Sequence, residues 1–355
     1  MDYPDICIAG AGIIGLSLAL ELHRQGARVT VLDQGEPLSE ASWAAAGMLA
    51  ADDPDNPQEL YPLSVLSRSL YPGFINRLFD LGGVAVPFHT STTLQEVNPD
   101  RAENTRGLTL LAPEPLSLLL PQLHAEPHRF VLLDEHSVNP RELAQALLAA
   151  VRATEIDLRS HTPIRMVRSR SGGIEVHTSS EILTPSRFVD CTGAWGLTAM
   201  PPGQVRTMPR KGQMLAVELP RSFPLHLVVR THSIYIVPRT TGAHAGRAVI
   251  GATVEDAGFD KTVYPSEIAR LRARATELLP ALADAVEVET WAGLRPSSSD
   301  GLPLLGQVSE RHFIAAGHYR NGILLAPATA VVMAQLLAGQ KPQVDLSRFS
   351  PMRRG

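Results

Sequence analysis

The sequence predicts a mixed α/β (α+β) fold of two domains, and three observations carry that prediction. An apolar run at residues 6–9 enters GAGIIG and then a helix-like segment at 16–25, the order strand, glycine loop, helix. A second apolar run at 27–32 ends on Asp33, about 20 residues past the loop, where a carboxylate meets a ribose in a dinucleotide-binding unit. From about 206 to 288 the pattern changes to short alternating strands, the mark of an antiparallel sheet. The first two observations define a Rossmann-like domain; the third defines a second domain. A chain of 355 residues also exceeds the size at which one core usually stops growing.

Each element follows from local chemistry. Gly10 lets the first strand turn, Gly12 lets backbone approach a pyrophosphate, and Gly15 lets the helix pack on its strand. Asp33 favours a ribose without a 2′-phosphate. Residues 34–62 read as a long functional loop with a helical piece around ASWAAAGMLA, and prolines and glycines then punctuate short segments to about Pro127. A strand at 130–133 precedes a helix with Asn139 as cap, Pro140 at its first position, and Leu143, Leu147 and Val151 as its apolar stripe. Strands around Ile156, Met166 and Ile174 follow, the last two separated by Ser171, Gly172 and Gly173, and a strand at 187–190 then brings Thr192 and Gly193 toward the nucleotide. In the second domain, strands at 233–237 and 248–252 flank Gly242 and Gly246 as a loose hairpin, and alternation places Tyr235 opposite Ile234 and Ile236, toward a cavity. A helix capped by Ser266 buries Ile268, Leu271, Ala275 and Leu278 and stops at Pro280. The tail holds a segment at 291–296, a strand at 313–316, GHYRNG, and a closing helix from Pro327. Residues 1–80, 130–205 and 286–355 are thus assigned to the nucleotide domain, and 81–129 and 206–285 to the substrate domain.

Composition narrows the function. A net charge of -4 and pI near 6.3 give no general attraction to nucleic acid, so a small-molecule site is expected. Two cysteines, Cys7 and Cys191, sit in separate apolar strand contexts, which is neither a disulfide framework nor a metal cluster, and the cytoplasm is the expected compartment. The apolar start follows Asp2 and Asp5 rather than basic residues, unlike a signal peptide, and no run is read as crossing a membrane.

GAGIIG, SWAAAGML, KGQMLAVE, YIVPR, VIGAT, WAGLRPSSSDGLPLLG and GHYRNGILLAPAT occur in that order. Together they resemble the glycine oxidases of the flavin-dependent D-amino-acid oxidase family, over residues 6 to about 337. The resemblance implies noncovalent FAD and oxidation of glycine or another small amine (sarcosine, D-alanine, D-proline) to an imine that hydrolyses to an oxo acid, glyoxylate from glycine, and ammonia or an amine. Dioxygen reoxidises the flavin to give peroxide, and a role in thiamine thiazole synthesis and a homo-oligomer, a tetramer, are implied as well. No side chain is implied to be catalytic, because the flavin itself accepts the hydride.

By the same resemblance Ile13 and Ile14 lie on the pyrophosphate, Asp33 and Gln34 on the adenosine ribose, and Ile164 on the adenine. Ala41, Ser42, Ala46, Gly47 and Met48 line the cofactor. The loop from Gly317, with His318, Tyr319, Arg320, Asn321, Gly322, Ile323 and Leu324, wraps the pyrimidine edge. Arg295, Arg320 and Tyr235 meet the substrate carboxylate, with Met48 beside it. Two positions depart from the family pattern: Trp43 replaces a small polar residue and Val254 stands where methionine is common, so both bear on substrate size. If Trp43 fills the pocket, a noncatalytic FAD-binding subunit is the alternative; a dehydrogenase using a quinone or protein acceptor is another.

The chemistry fits these residue types. A guanidinium held before Pro296 presents two parallel donors to a carboxylate, and a helix N-terminus near the flavin stabilises negative charge there. Arg320 can instead brace its loop. His318 and His232 are read as structural, since hydride transfer needs only a neutral substrate amine, and Cys191 as an unreactive core thiol.

Overall fold

A computed structural model describes residues 5–98, 108–170, 173–197 and 204–354. Of the sequence expectations, the turn residues Ser171 and Gly172 lie outside these. A six-stranded sheet has the order Leu304–Ser309, His312–Ala316, Arg187–Asp190, Asp5–Ala9, Arg28–Leu32, Asp157–Arg159. The first pair is antiparallel and the rest are parallel. Four residues of the central strand are buried, as a parallel sheet covered on both faces requires.

The second sheet has seven strands in the order Val286–Ser298, Thr207–Glu218, Arg247–Gly251, Tyr235–Arg239, Val228–Arg230, Thr93–Glu96, Phe130–Leu133. It is antiparallel except between Val228–Arg230 and Thr93–Glu96. Two of its strands, Phe130–Leu133 and Val286–Ser298, fall on the nucleotide side of the division expected from sequence. Their partners lie 34 or more residues away in the chain, beyond the reach of local pattern. A smaller antiparallel sheet joins Met166–Arg170, Gly173–His177 and Ile182–Leu183.

Four of the described helices pack together beside the nucleotide sheet. The first, Ile13–Arg24, begins inside the glycine loop, three residues earlier than its periodicity suggests. The second, Tyr61–Gly82, spans 22 residues and was not expected, because Pro62, Pro72 and Gly73 disguise it as broken segments. The third runs from Gly322 to Leu337 with Pro327 inside it rather than at its start. It corrects a second reading too: Tyr319–Leu337 is long and apolar enough to cross a bilayer by length and composition, with mean hydropathy 1.3, but 72% of that apolar window is buried inside the fold, and the helix packs on the first two. The helix Pro140–Arg152 matches expectation, with Asn139 Oδ1 accepting from Arg141 N at 3.1 Å. The helix Pro265–Leu278 buries the four expected residues, but its cap position is Tyr264. Pro265 takes the first helical place, where a missing N–H costs nothing, and Ser266 falls inside the turn.

Candidate active site

Between the two sheets lies a cavity of about 500 Å³, a volume common for cofactor sites. Every cofactor and substrate position expected from sequence lines it except Gly15, Gly317 and Leu324. Gly15 works from behind: a Cβ there would collide with the Gly10 carbonyl oxygen, so its role is to seat the helix on the strand. Leu324 is fully buried in the core.

The nucleotide end is built by backbone. Gly10 has φ 100°, a left-handed conformation that favours glycine, and a Cβ on it would strike the Cys191 carbonyl. The Asp33 carboxylate is held by Ala11 N at 2.6 Å and Gly35 N at 2.8 Å. Burial raises its pKa, and the Gly35 and Ala11 bonds oppose that rise. Ser42 Oγ accepts from Ile13 N at 2.9 Å, so a residue far along the chain supplies the helix with the cap its own sequence lacks. Thr192 is oriented by Asp190 Oδ1, at 2.9 Å from its N and 2.6 Å from its Oγ1.

The wall at Ala41–Met48 is fixed from several sides. Trp291 Nε1 donates to Ala44 O at 3.0 Å, Arg239 Nη2 to Ala46 O at 2.8 Å, and Val138 N to Gly47 O at 2.9 Å. Trp43 itself does not line the cavity and is 39% exposed, so the condition on which the noncatalytic alternative rested, Trp43 filling the pocket, is not met: its side chain turns outward. Val254 does line the cavity, and at 58% exposure it stands at the mouth.

At the far end the Arg295 side chain reaches Tyr235 across the two strands that separate them in the second sheet. Arg295 Nη1 donates to the carbonyls of Thr253 at 3.1 Å and Lys211 at 3.4 Å, and among the described residues it forms no ion pair. A guanidinium aimed by carbonyls and lacking a carboxylate is prepared for one. Two glycines that sequence reasoning missed make the room. A Cβ on Gly212 would collide with the Arg295 guanidinium, and one on Gly251 with the Tyr235 hydroxyl. Their signal was present in KGQM and VIGAT, as glycines interrupting otherwise strand-like runs. Burial pushes the Tyr235 pKa up, which keeps it a phenol donor despite the opposing pull of Arg295.

Arg320 lines the same cavity, with Nη2 3.6 Å from Asp53 Oδ2 and a side chain 42% exposed. Asp53 also faces Arg230, 3.7 Å away. Sequence reading missed Arg230, which is buried and lines the cavity; it donates to Glu135 at 3.1 Å and to Gln95, and reaches Met48 Sδ at 3.9 Å. Burial raises the Glu135 pKa, with Arg230 opposing. His318 is 3% exposed, pairs with Thr329 Oγ1 at 3.1 Å, and is pushed down by burial to a pKa of about 3. It is a poor proton acceptor. His232 pairs with Asp55 at 3.1 Å near the mouth, and burial raises Cys191 well above its ordinary value.

The closing helix points its first turn, Gly322 and Ile323, at this cavity, with no side chain capping it. Its positive end therefore faces the site directly.

A glycine cradle, a half-buried ribose acid and an uncapped helix end in one elongated cavity fit an extended dinucleotide, with an anion anchor beyond it. These features define a dinucleotide-dependent enzyme. The family model described as FAD dependent oxidoreductase (DAO) matches residues 5–336, and the chain belongs to that family. Glycine oxidase of Pseudomonas aeruginosa is 34% identical, covering 98% of this chain and 99% of that protein. The bifunctional protein ThiO/ThiG of Trichormus variabilis is 35% identical over 97% of this chain, which spans only 54% of that protein. Among solved structures, glycine oxidase from Geobacillus kaustophilus superposes with a TM-score of 0.91 at 30% identity, covering 100% of both chains. FAD is the cofactor, and the chain is an FAD-dependent oxidoreductase.

Proposed function

We propose that this enzyme oxidises glycine and small amines such as sarcosine, D-alanine and D-proline, passing electrons to dioxygen. Bound FAD supplies the two-electron acceptor. The chain's own residues orient and exclude. Arg295 takes the carboxylate and Tyr235 donates to it, an arrangement worth about 1.5–3 kcal/mol per charged hydrogen bond. Ala46, Met48 and Ile323 keep water from the reacting end. The observation that carries this reading is Arg295, an ion-pair-free guanidinium among the described residues, aimed by two carbonyls into the cofactor cavity. The products are hydrogen peroxide and an imine that hydrolyses, giving glyoxylate and ammonia from glycine, and the names of the ThiO/ThiG relatives support a place in thiamine thiazole synthesis. Cytoplasmic location and a homo-oligomer, a tetramer, complete the reading, the latter measurable by light scattering.

Anaerobic mixing of the flavoprotein with each amine tests it. Bleaching of the visible flavin band by glycine or sarcosine, followed by peroxide on admitting air, is the expected result. No bleaching by any of them overturns the substrate assignment; bleaching without recovery in air overturns dioxygen as acceptor and favours a quinone or protein.

A further inference from the structure

Arg141 lies between two indole rings. Its Cζ is 4.8 Å from the centroid of the Trp43 ring and 4.9 Å from that of Trp291, and its guanidinium donates to both Glu289 oxygens at 2.7 and 2.8 Å. The participants come from three places in the chain: the short helix Ala41–Ala44, the first turn of Pro140–Arg152, and the strand Val286–Ser298. A planar guanidinium can offer both faces to aromatic rings and its edge to a carboxylate at once, which an ammonium cannot. An ordinary exposed ion pair contributes little, but the Arg141 side chain here is only 21% exposed.

The stack stands directly behind the cofactor wall. Trp43 does not line the cavity, whereas Ser42 and Ala44 on either side of it do. Trp291 also holds Ala44 O, and Gly293 packs so closely on Ala44 that a Cβ there would collide with the Ala44 Cβ. We propose that Arg141, clamped between Trp43 and Trp291, is a positioning residue for FAD: it fixes the wall segment Ala41–Met48 before the cofactor arrives and so sets how tightly the cofactor is kept. Without the clamp the segment is freer in the empty protein, and the cost of ordering it falls on binding. The Glu289 carboxylate is 42% exposed, so added salt screens its pairing and weakens the clamp.

The test is a titration of apoprotein with FAD, read by quenching of flavin fluorescence, in wild type, Trp43→Ser and Arg141→Met, with melting temperatures of both apo and holo forms. The expected result is tight binding by wild type, binding weakened about tenfold in both variants with the apo melting temperature retained, and faster FAD release in wild type as salt is raised. An unchanged dissociation constant in Trp43→Ser overturns the proposal, as does an equal fall in apo and holo melting temperatures. If Arg141→Met does not fold, Trp43→Ser, at a partly exposed position, decides alone. Failure of wild type to bind FAD overturns the proposal together with the cofactor assignment.

Discussion

The Tyr71 hydroxyl donates a 3.0 Å hydrogen bond to the carbonyl of Ile323. That carbonyl lies four residues before Pro327, which has no N–H to offer it. One residue on, Ser67 Oγ is inserted in the same way, donating to Leu324 O at 2.6 Å and accepting from Ala328 N at 3.1 Å. The helix Tyr61–Gly82 thus repairs the broken turn of its neighbour, and the closing helix can begin at Gly322, on the cavity, instead of at Pro327.

Removing that repair has a defined cost. Tyr71→Phe leaves a buried carbonyl unsatisfied and is expected to lower stability by about 1–3 kcal/mol. Urea denaturation of the holoenzyme measures it, and a change well below this range shows that the carbonyl finds another partner.

Arg295→Ala is expected to raise KM for glycine or sarcosine about 10- to 100-fold while FAD remains bound. Gly212→Ala should produce a similar rise by a different route, since its new Cβ meets the guanidinium. Steady-state kinetics with flavin content checked by absorbance tests both, and unchanged KM in Arg295→Ala removes its carboxylate role.

The glycine loop and Asp33 were legible because their chemistry depends on local spacing of backbone and one acid. Arg295 and Tyr235 were legible only through the motifs around them, and Gly212 and Gly251 make sense only once the side chains they accommodate are placed. Arg230 was not legible at all: its partners Gln95 and Glu135 lie 135 and 95 residues away. Pro327 misled for a physical reason, because proline usually opens a helix and only a hydroxyl from a distant helix allows it further in. Tyr61–Gly82 was hidden by the same rule.

Arg230→Met should be among the most damaging single changes. It leaves Glu135 buried without its cation and Asp53 with Arg320 alone, a loss of about 3–5 kcal/mol by analogy with other broken buried pairs. Chemical denaturation measures this, and stability near that of wild type shows that Glu135, already raised by burial, takes up a proton instead.

His318 makes stability fall in acid. Burial holds its pKa near 3 against an ordinary 6.5, so between these values the unfolded chain binds the proton and the folded chain does not. Its contribution is therefore constant above pH 6.5 and is lost progressively below it. His318→Gln, which can still bond Thr329, is expected to reduce the slope of stability against pH by up to about 1.4 kcal/mol per unit in that window. Parallel wild-type and variant curves between pH 4 and 6, measured at about half-unit steps in urea, count against this.

The cavity's two ends belong to different sheets, with Asp33 beside one and Arg295 on the other. One molecule lying along it ties both sheets together, so its binding energy is shared out as folding energy for the whole chain. The melting temperature then rises with free FAD even above saturation, by about 1.4 kcal/mol of stability for each tenfold increase. Flavin supply becomes a determinant of how much of this protein survives in a cell, quite apart from how much of it is turning over.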